Sequence, residues 1–251
     1  RFDLPLMKSL SQWGRGERKV LLGDVSVGAD VIAPYRAFVL AVGGAANLRS
    51  LNLPLDGDGV ARDLPGFVDV RGADGRLLRV PGMAGELAGR SLGHVIALPP
   101  ADAALNFPVD PAAIPVYSFA DLAACADADY LVRNFKDKVV LFGAVLDIED
   151  RKLAANRFAA PADFAGAPVG CDGKTPPVGR ADRSLYPGVL IHAVGVDNLI
   201  RGTYLLPSAP ATGVVLTLTL ALLTTLLAIR FGTWGSAAAT FGFALAWIAL
   251  T

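Results

Sequence analysis

The sequence predicts an α/β domain followed by transmembrane α-helices. Three observations carry this reading. Upstream of Pro207, short apolar runs led by lysine and closed by glycine alternate with helical stretches. Downstream, Ala211 to Ile229 contains no charged residue. Hydrophobic residues make up 53% of the 251-residue chain and charged residues 18%, against roughly 45–50% and about 25% in ordinary soluble domains.

The elements follow in chain order. The opening Arg1-Phe2-Asp3-Leu4-Pro5 has neither the apolar core nor the cleavage site of a signal peptide, and Ala249-Leu250-Thr251 stops inside an apolar run, so both ends are expected to be cut. Lys19 to Gly23 and Lys138 to Ala144 read as buried parallel strands. Asp56-Gly57-Asp58-Gly59 reads as a tight acidic turn between extended segments. A helix is expected from Ser118 to Cys125, with Ser118 capping and Asp121 three residues on. The Pro-, Gly- and Ala-rich stretch Phe158 to Tyr186 lacks periodicity and is expected to be a long loop.

Val189 to Arg201 reads as a helix too apolar to lie in solvent, expected to pack on the strand Lys138 to Ala144 and to end at Gly202. Only Thr203 to Pro210 then separates it from the apolar stretch, and Pro207 and Pro210 stiffen that link by fixing φ. The stretch Ala211 to Ile229, at about 1.5 Å per residue, approaches the roughly 30 Å thickness of bilayer hydrocarbon. Arg230 to Ser236 supplies a charge, an interfacial tryptophan and two glycines, so a turn into a second span is expected. The predicted organisation is a domain over residues 1–208, a transmembrane helix over 209–231 and the start of a second over 234–251.

Lys+Arg and Asp+Glu both number 23, which leaves no basic field for a phosphate backbone and excludes nucleic acid as a partner. Gly173-Lys174-Thr175 looks like the end of a phosphate loop, but Pro176 and Pro177 remove amide donors where the helix should begin. Asp56 and Asp58 begin like a calcium loop, yet Val60 and Ala61 stand where a ligand and the turn glycine belong. His192 lies on an apolar helix with no further ligand on its face, which favours a hydrogen-bonded structural role over a metal site. Asp197 and Arg201 have the spacing of a helix ion pair. No catalytic constellation occurs, and no catalytic residue, metal or cofactor is expected.

Asp147, Glu149, Asp150 and Arg151 follow the strand expected to end near Gly143. Carboxylates beyond the carboxyl end of a strand stand where α/β folds bind ligands, so these four are the ligand-binding candidates. Cys125 and Cys171 are the only cysteines, and a single bridge between them is expected.

A set of motifs carries a resemblance. Asn47, then Asp56 to Arg62, Tyr117 to Asp121, Phe135 to Ala144, Asp150, Pro187 to Ala193 and Asp197-Asn198-Leu199 stand in an order that resembles the CHASE type-two sensor domain, the cyclase- and histidine-kinase-associated sensory extracellular domain. The resemblance covers roughly Leu10 to Pro207. The family normally opens with a transmembrane helix and a strand-rich segment ahead of a region like Arg1 to Val20.

The resemblance implies an extracytoplasmic sensor, on the periplasmic side of a bacterial cell membrane, joined through about three membrane helices to a cytoplasmic output domain. That output is a class III nucleotide cyclase, a histidine kinase or a Ser/Thr kinase, and adenylate cyclase is the expectation by family frequency. The implied partners are the lipid bilayer and a small-molecule or protein signal, with a homodimer or larger membrane complex as the assembly. His192, Asp197, Arg201, Gly202 and Pro207 are the expected signal-coupling residues. The alternative is a non-catalytic accessory or structural membrane subunit built on the same sensor fold.

Overall fold

The computed structural model describes residues 3–14, 20–27, 30–71, 74–97, 99–107, 114–143, 151–155, 170–173 and 185–250. Asp147, Glu149, Asp150, Lys174 and Thr175, and most of the expected loop between Phe158 and Tyr186, lie outside them. The chain divides into two compact units, Arg1–Leu206 and Pro207–Thr251.

The first unit is a mixed α/β domain built on small sheets. It opens with helix α1 (Asp3–Gly14), for which the sequence reading had no element. Strands β1 (Leu22–Val27), β2 (Asp30–Ile32) and β3 (Leu48–Ser50) form one sheet in the order β2-β1-β3, with β1 and β3 parallel. The expected strand at Lys19 to Gly23 is thus displaced a few residues forward. Helix α2 (Arg36–Ala41) and a 3-10 turn (Ala45–Asn47) connect β2 to β3. Strand β4 (Val60–Ala61) belongs to a second sheet. The hairpin β5 (Phe67–Arg71) and β6 (Leu77–Pro81) leads into helix α3 (Met83–Leu92), which Gly93 ends with φ 72°.

Helix α4 (Phe119–Ala123) starts where the cap predicts, with the Asp121 amide donating to Ser118 Oγ at 3.4 Å. Helix α5 (Ala128–Phe135) is capped likewise by Asp127, whose Oδ1 accepts from the Tyr130 amide at 2.9 Å. Strands β7 (Arg151–Ala154) and β8 (Leu185–Pro187) complete the sheet β4-β7-β8, in which β4 and β7 are parallel. Helix α6 (Gly188–Arg201) follows at once, and Gly202 ends it with φ 66° as its position predicts.

The core gathers α6 and α3 over the β4-β7-β8 sheet. Ile191, Val194, Val196 and Leu199 of α6 join Ala84 and Ala88 of α3, Ala61, Ala154 and Tyr186. Small residues bring the helices together: a Cβ on Gly195 would stand 3.0 Å from Pro65 Cγ and 3.5 Å from Ala84 Cβ. Two expectations need correction. The main partner of α6 is α3 rather than Lys138 to Ala144. Of that run, the described residues Lys138–Gly143 belong to no strand. Val139 and Leu141 turn inward, while Val140 and Phe142 are 58% and 79% exposed, so it is a half-buried segment and not a strand covered on both faces. Gly143 still lies against α6, where a Cβ would meet Val189 at 2.8 Å.

The second unit is helix α7 (Pro210–Leu250), interrupted at Gly232, where φ 70° and ψ −179° leave helical space. Ala211–Arg230 is long and apolar enough to cross a membrane, and Val215, Leu218, Leu222 and Ile229 all point outward. Its threonines turn back on the helix: the Thr217, Thr219 and Thr225 hydroxyls donate to the carbonyls of Gly213, Val215 and Ala221 at 2.8, 2.7 and 2.8 Å. Gly232 falls within the expected turn.

Candidate signal-coupling site

Three polar constellations stand out on the first unit, and one meets the point where the chain leaves it. The simplest is the acidic turn. Gly59 holds φ 76° and its amide donates to Asp56 O at 2.8 Å, which closes the turn ahead of β4. Arg62 then reaches back with its guanidinium on both Asp56 and Asp58, at 2.8 Å for each Asp58 oxygen. The Arg62 hydrogen bonds hold the exposed Asp58 carboxyl down at about 2. Nearby, burial and the Asp56 charge push Asp63 up. Both aspartates of the calcium-like motif are thus engaged by an arginine, as a tight structural turn requires.

The second constellation ties β3 to α3. Glu86 accepts from Arg49 Nη2 at 3.0 Å and from Arg90 Nε at 2.8 Å, and Arg90 Nη2 donates to Asn47 Oδ1 at 2.9 Å. Burial pushes Glu86 up, but the two guanidiniums outweigh it and the carboxyl lies below its usual range. A carboxyl lowered on folding stabilises the fold at neutral pH, and that contribution is lost as acid titrates through the lowered value. Asn47, an early element of the resemblance, is 5% exposed and anchors this network by donating to Val42 O at 2.6 Å.

The third lies at the end of α6. Asn198 is 2% exposed and clasps the backbone of Asn106 on both sides: its Oδ1 accepts from the Asn106 amide at 2.7 Å and its Nδ2 donates to the Asn106 carbonyl at 2.9 Å. Asn106 Nδ2 in turn donates to Thr203 O at 2.9 Å. Ala104 and Leu205 exchange both backbone hydrogen bonds, at 2.8 and 2.9 Å, and Ala104 also bridges Asp63 on its other side. Short pairings therefore cross from the Arg62 segment through Ala104 to the last residues of the domain.

Of the expected coupling residues, Asp197, Arg201 and Gly202 stand at this end of α6, whereas His192 lies nearer its start. His192 is 3% exposed, and its Nε2 lies 3.0 Å from Leu51 O; a carbonyl only accepts, so Nε2 carries the proton. Asp197 accepts from Arg201 Nε at 2.7 Å on the exposed face, the helix ion pair its spacing predicts. Gly202 supplies the left-handed stop, and Pro207 opens the second unit. Asn198 was quoted for the resemblance but given no coupling role. The available signal was an amide on a helix otherwise too apolar for water, which must find partners when buried.

Of the four ligand candidates only Arg151 is described. It stands on β7, and its guanidinium donates to Leu185 O at 3.3 Å, where it supports the pairing with β8. Cys125 and Cys171 are joined by a disulfide with Cα atoms 5.5 Å apart. Beside it lies a shallow cleft lined by Tyr117, Asp121, Leu122, Tyr130 and Cys171. Burial and the neighbouring Tyr130 push the Tyr117 phenol up. Among the described residues no cluster of His, Cys, Asp and Glu could hold a metal ion.

The last buried helix of the α/β domain is followed within a few residues by a helix long and apolar enough to span a bilayer. Comparison makes the class specific: the CHASE2 domain family matches residues 3–227. The chain belongs to the CHASE2 family, an extracellular sensory domain of signalling receptors. The match runs beyond the motifs at both ends and takes in α1 and most of the apolar stretch. No curated protein shows significant similarity to the chain. No solved structure does either.

Proposed function

We propose that this chain is the sensory region of a bacterial transmembrane receptor, sensing a small-molecule or protein signal on the periplasmic side of the cell membrane and relaying it to a cytoplasmic adenylate cyclase. The observation that carries the reading is the short path from α6 through Gly202 and the Ala104–Leu205 pairing to the apolar helix. A signal shifts a two-state sensor only by its difference in affinity between the states, so the element that moves must adjoin that path. Asp147, Glu149, Asp150 and Arg151 are the proposed ligand contacts. A homodimer or larger complex in the bilayer is the proposed assembly.

Relay through a short link has a direct test. In the full-length receptor, replacing Leu206 to Ala209 with a longer Gly/Ser stretch should leave the sensory unit folded and abolish the signal-dependent change in cyclic AMP, because a flexible linker absorbs displacement. A wild-type response in that variant would reject the relay.

The proposed topology puts Arg230 on the cytoplasmic side, in the positive-inside sense. A cysteine placed at Gly232 should then be shielded from impermeant thiol reagents in intact cells. Ready labelling at that position would reverse the orientation.

A further inference from the structure

The geometry points to a latch at the exit of the sensory unit: the segment Tyr204–Leu205 opens and closes on Ala104 as a unit of its own, while α6 and its cap stay folded. This rests on the receptor reading only for its purpose, not for its existence. The boundary of the latch is drawn by its hydrogen bonds. Gly202 and Thr203 donate backward to Asn198 O, Thr203 at 3.0 Å, so their amides belong to the helix cap. Beyond the Thr203 amide, the fastening consists of the Asn106 side chain on Thr203 O and the reciprocal pair between Ala104 and Leu205.

The fastening is polar and shallow. Leu205 and Leu206 are 51% and 59% exposed, and Tyr204 alone packs, half-buried, on the core. Hydrogen bonds near the surface can be handed over to water at small net cost. Segments with few buried apolar contacts are the ones that open locally. The anchor on the inner side is different in kind. Asn198 is buried and its clasp on the Asn106 backbone leaves neither amide partner to water, so it stays shut when the outer bonds part. Ala104 lies on the boundary itself: its amide faces the latch, while the next amide, Leu105, donates to Arg62 O at 2.7 Å on the opposite side.

Opening changes the connection rather than the domain. With the latch closed, the chain is held as far as Leu205; with it open, Tyr204 and Leu205 are released, adding about 7 Å of reach at roughly 3.3 Å per residue. Closed and open latches thus give the helix that follows in the chain a shorter or a longer tether.

Residue-resolved amide hydrogen exchange on the whole chain in lipid nanodiscs tests this. The Ala104 and Leu205 amides should exchange together, at least about a hundredfold faster than Leu105 and the α6 amides from Ile191 to Leu199. Asn106→Ala, which removes the Thr203 contact and keeps the backbone clasp, should speed Ala104 and Leu205 by roughly tenfold and leave Leu105 unchanged. The pair Ala104→Cys with Leu205→Cys, oxidised, should remove the fast exchange, since reciprocally bonded cross-strand Cα atoms lie about 5.5 Å apart, within disulfide range. If Ala104 and Leu205 exchange as slowly as Leu105, or if Asn106→Ala speeds all of these amides alike, the latch does not exist. Because no output is read, an open latch with a failed relay would reject the receptor reading alone.

Discussion

Replacing Cys125 and Cys171 together with serine should lower the stability of the sensory unit by up to about 4 kcal/mol, the loop-closure value for a bridge whose cysteines lie 46 residues apart. That would be a large share of the roughly 5–15 kcal/mol available to a domain. The bridge closes a loop that runs from α4 through α5 and β7, a region where few described side chains are buried. Urea denaturation of the oxidised chain and the double variant would measure the difference. Mass spectrometry of non-reduced peptides checks the bond itself. Equal midpoints, or both cysteines recovered as free thiols, would remove the bridge from the account of stability. Disulfides persist in oxidising compartments, so an intact bridge also agrees with the extracellular setting of the family.

An effect of comparable size is expected at Gly85, from the opposite cause. A Cβ at this position would stand 2.0 Å from the carbonyl oxygen of Gly66. That oxygen already accepts from the Gly82 amide at 3.0 Å, and Phe67 beside it starts the β5–β6 hairpin. Neither backbone can yield without disturbing the seat of α3. Gly85→Ala should therefore cost about 3 kcal/mol or more, at the upper end of overpacking changes. Gly57→Ala is the control: nothing lies within 4 Å of its added Cβ, and a shift within about 0.5 kcal/mol is expected. If both variants unfold at the wild-type urea midpoint, the close approach of α3 to Gly66 is not real.

What the sequence disclosed was local. Ser118 capping α4, the acidic turn at Asp56 to Gly59, the stop at Gly202 and the Asp197–Arg201 pair each depend on residues within a few positions of one another. The family motifs added what spacing alone could not, the class of domain. Lys138 to Gly143 differs from its expected form because a short apolar run does not tell a strand covered on both faces from a half-buried segment outside the sheets. Val139, Val140, Leu141 and Phe142 are all apolar, so the alternation of Val140 and Phe142 outward with Val139 and Leu141 inward leaves no mark in the sequence. Helix α1 went unread although Leu4, Met7, Leu10 and Trp13 recur at helical spacing. The pairing of α6 with α3, and the identity of Asn106 as the partner of Asn198 across 92 residues of chain, are long-range facts with no local trace.

The threonines of α7 bear on how such a helix can move. Hydroxyls that donate to carbonyls of their own helix ask nothing of their neighbours, whereas an unsatisfied hydroxyl in hydrocarbon would pin the helix to one azimuth. In a bilayer, with Thr217, Thr219 and Thr225 provided for internally, lipid would meet much the same apolar wall at every angle. Turning about the long axis would then be nearly isoenergetic, and the orientation of the helix would be left to whatever pulls on its ends.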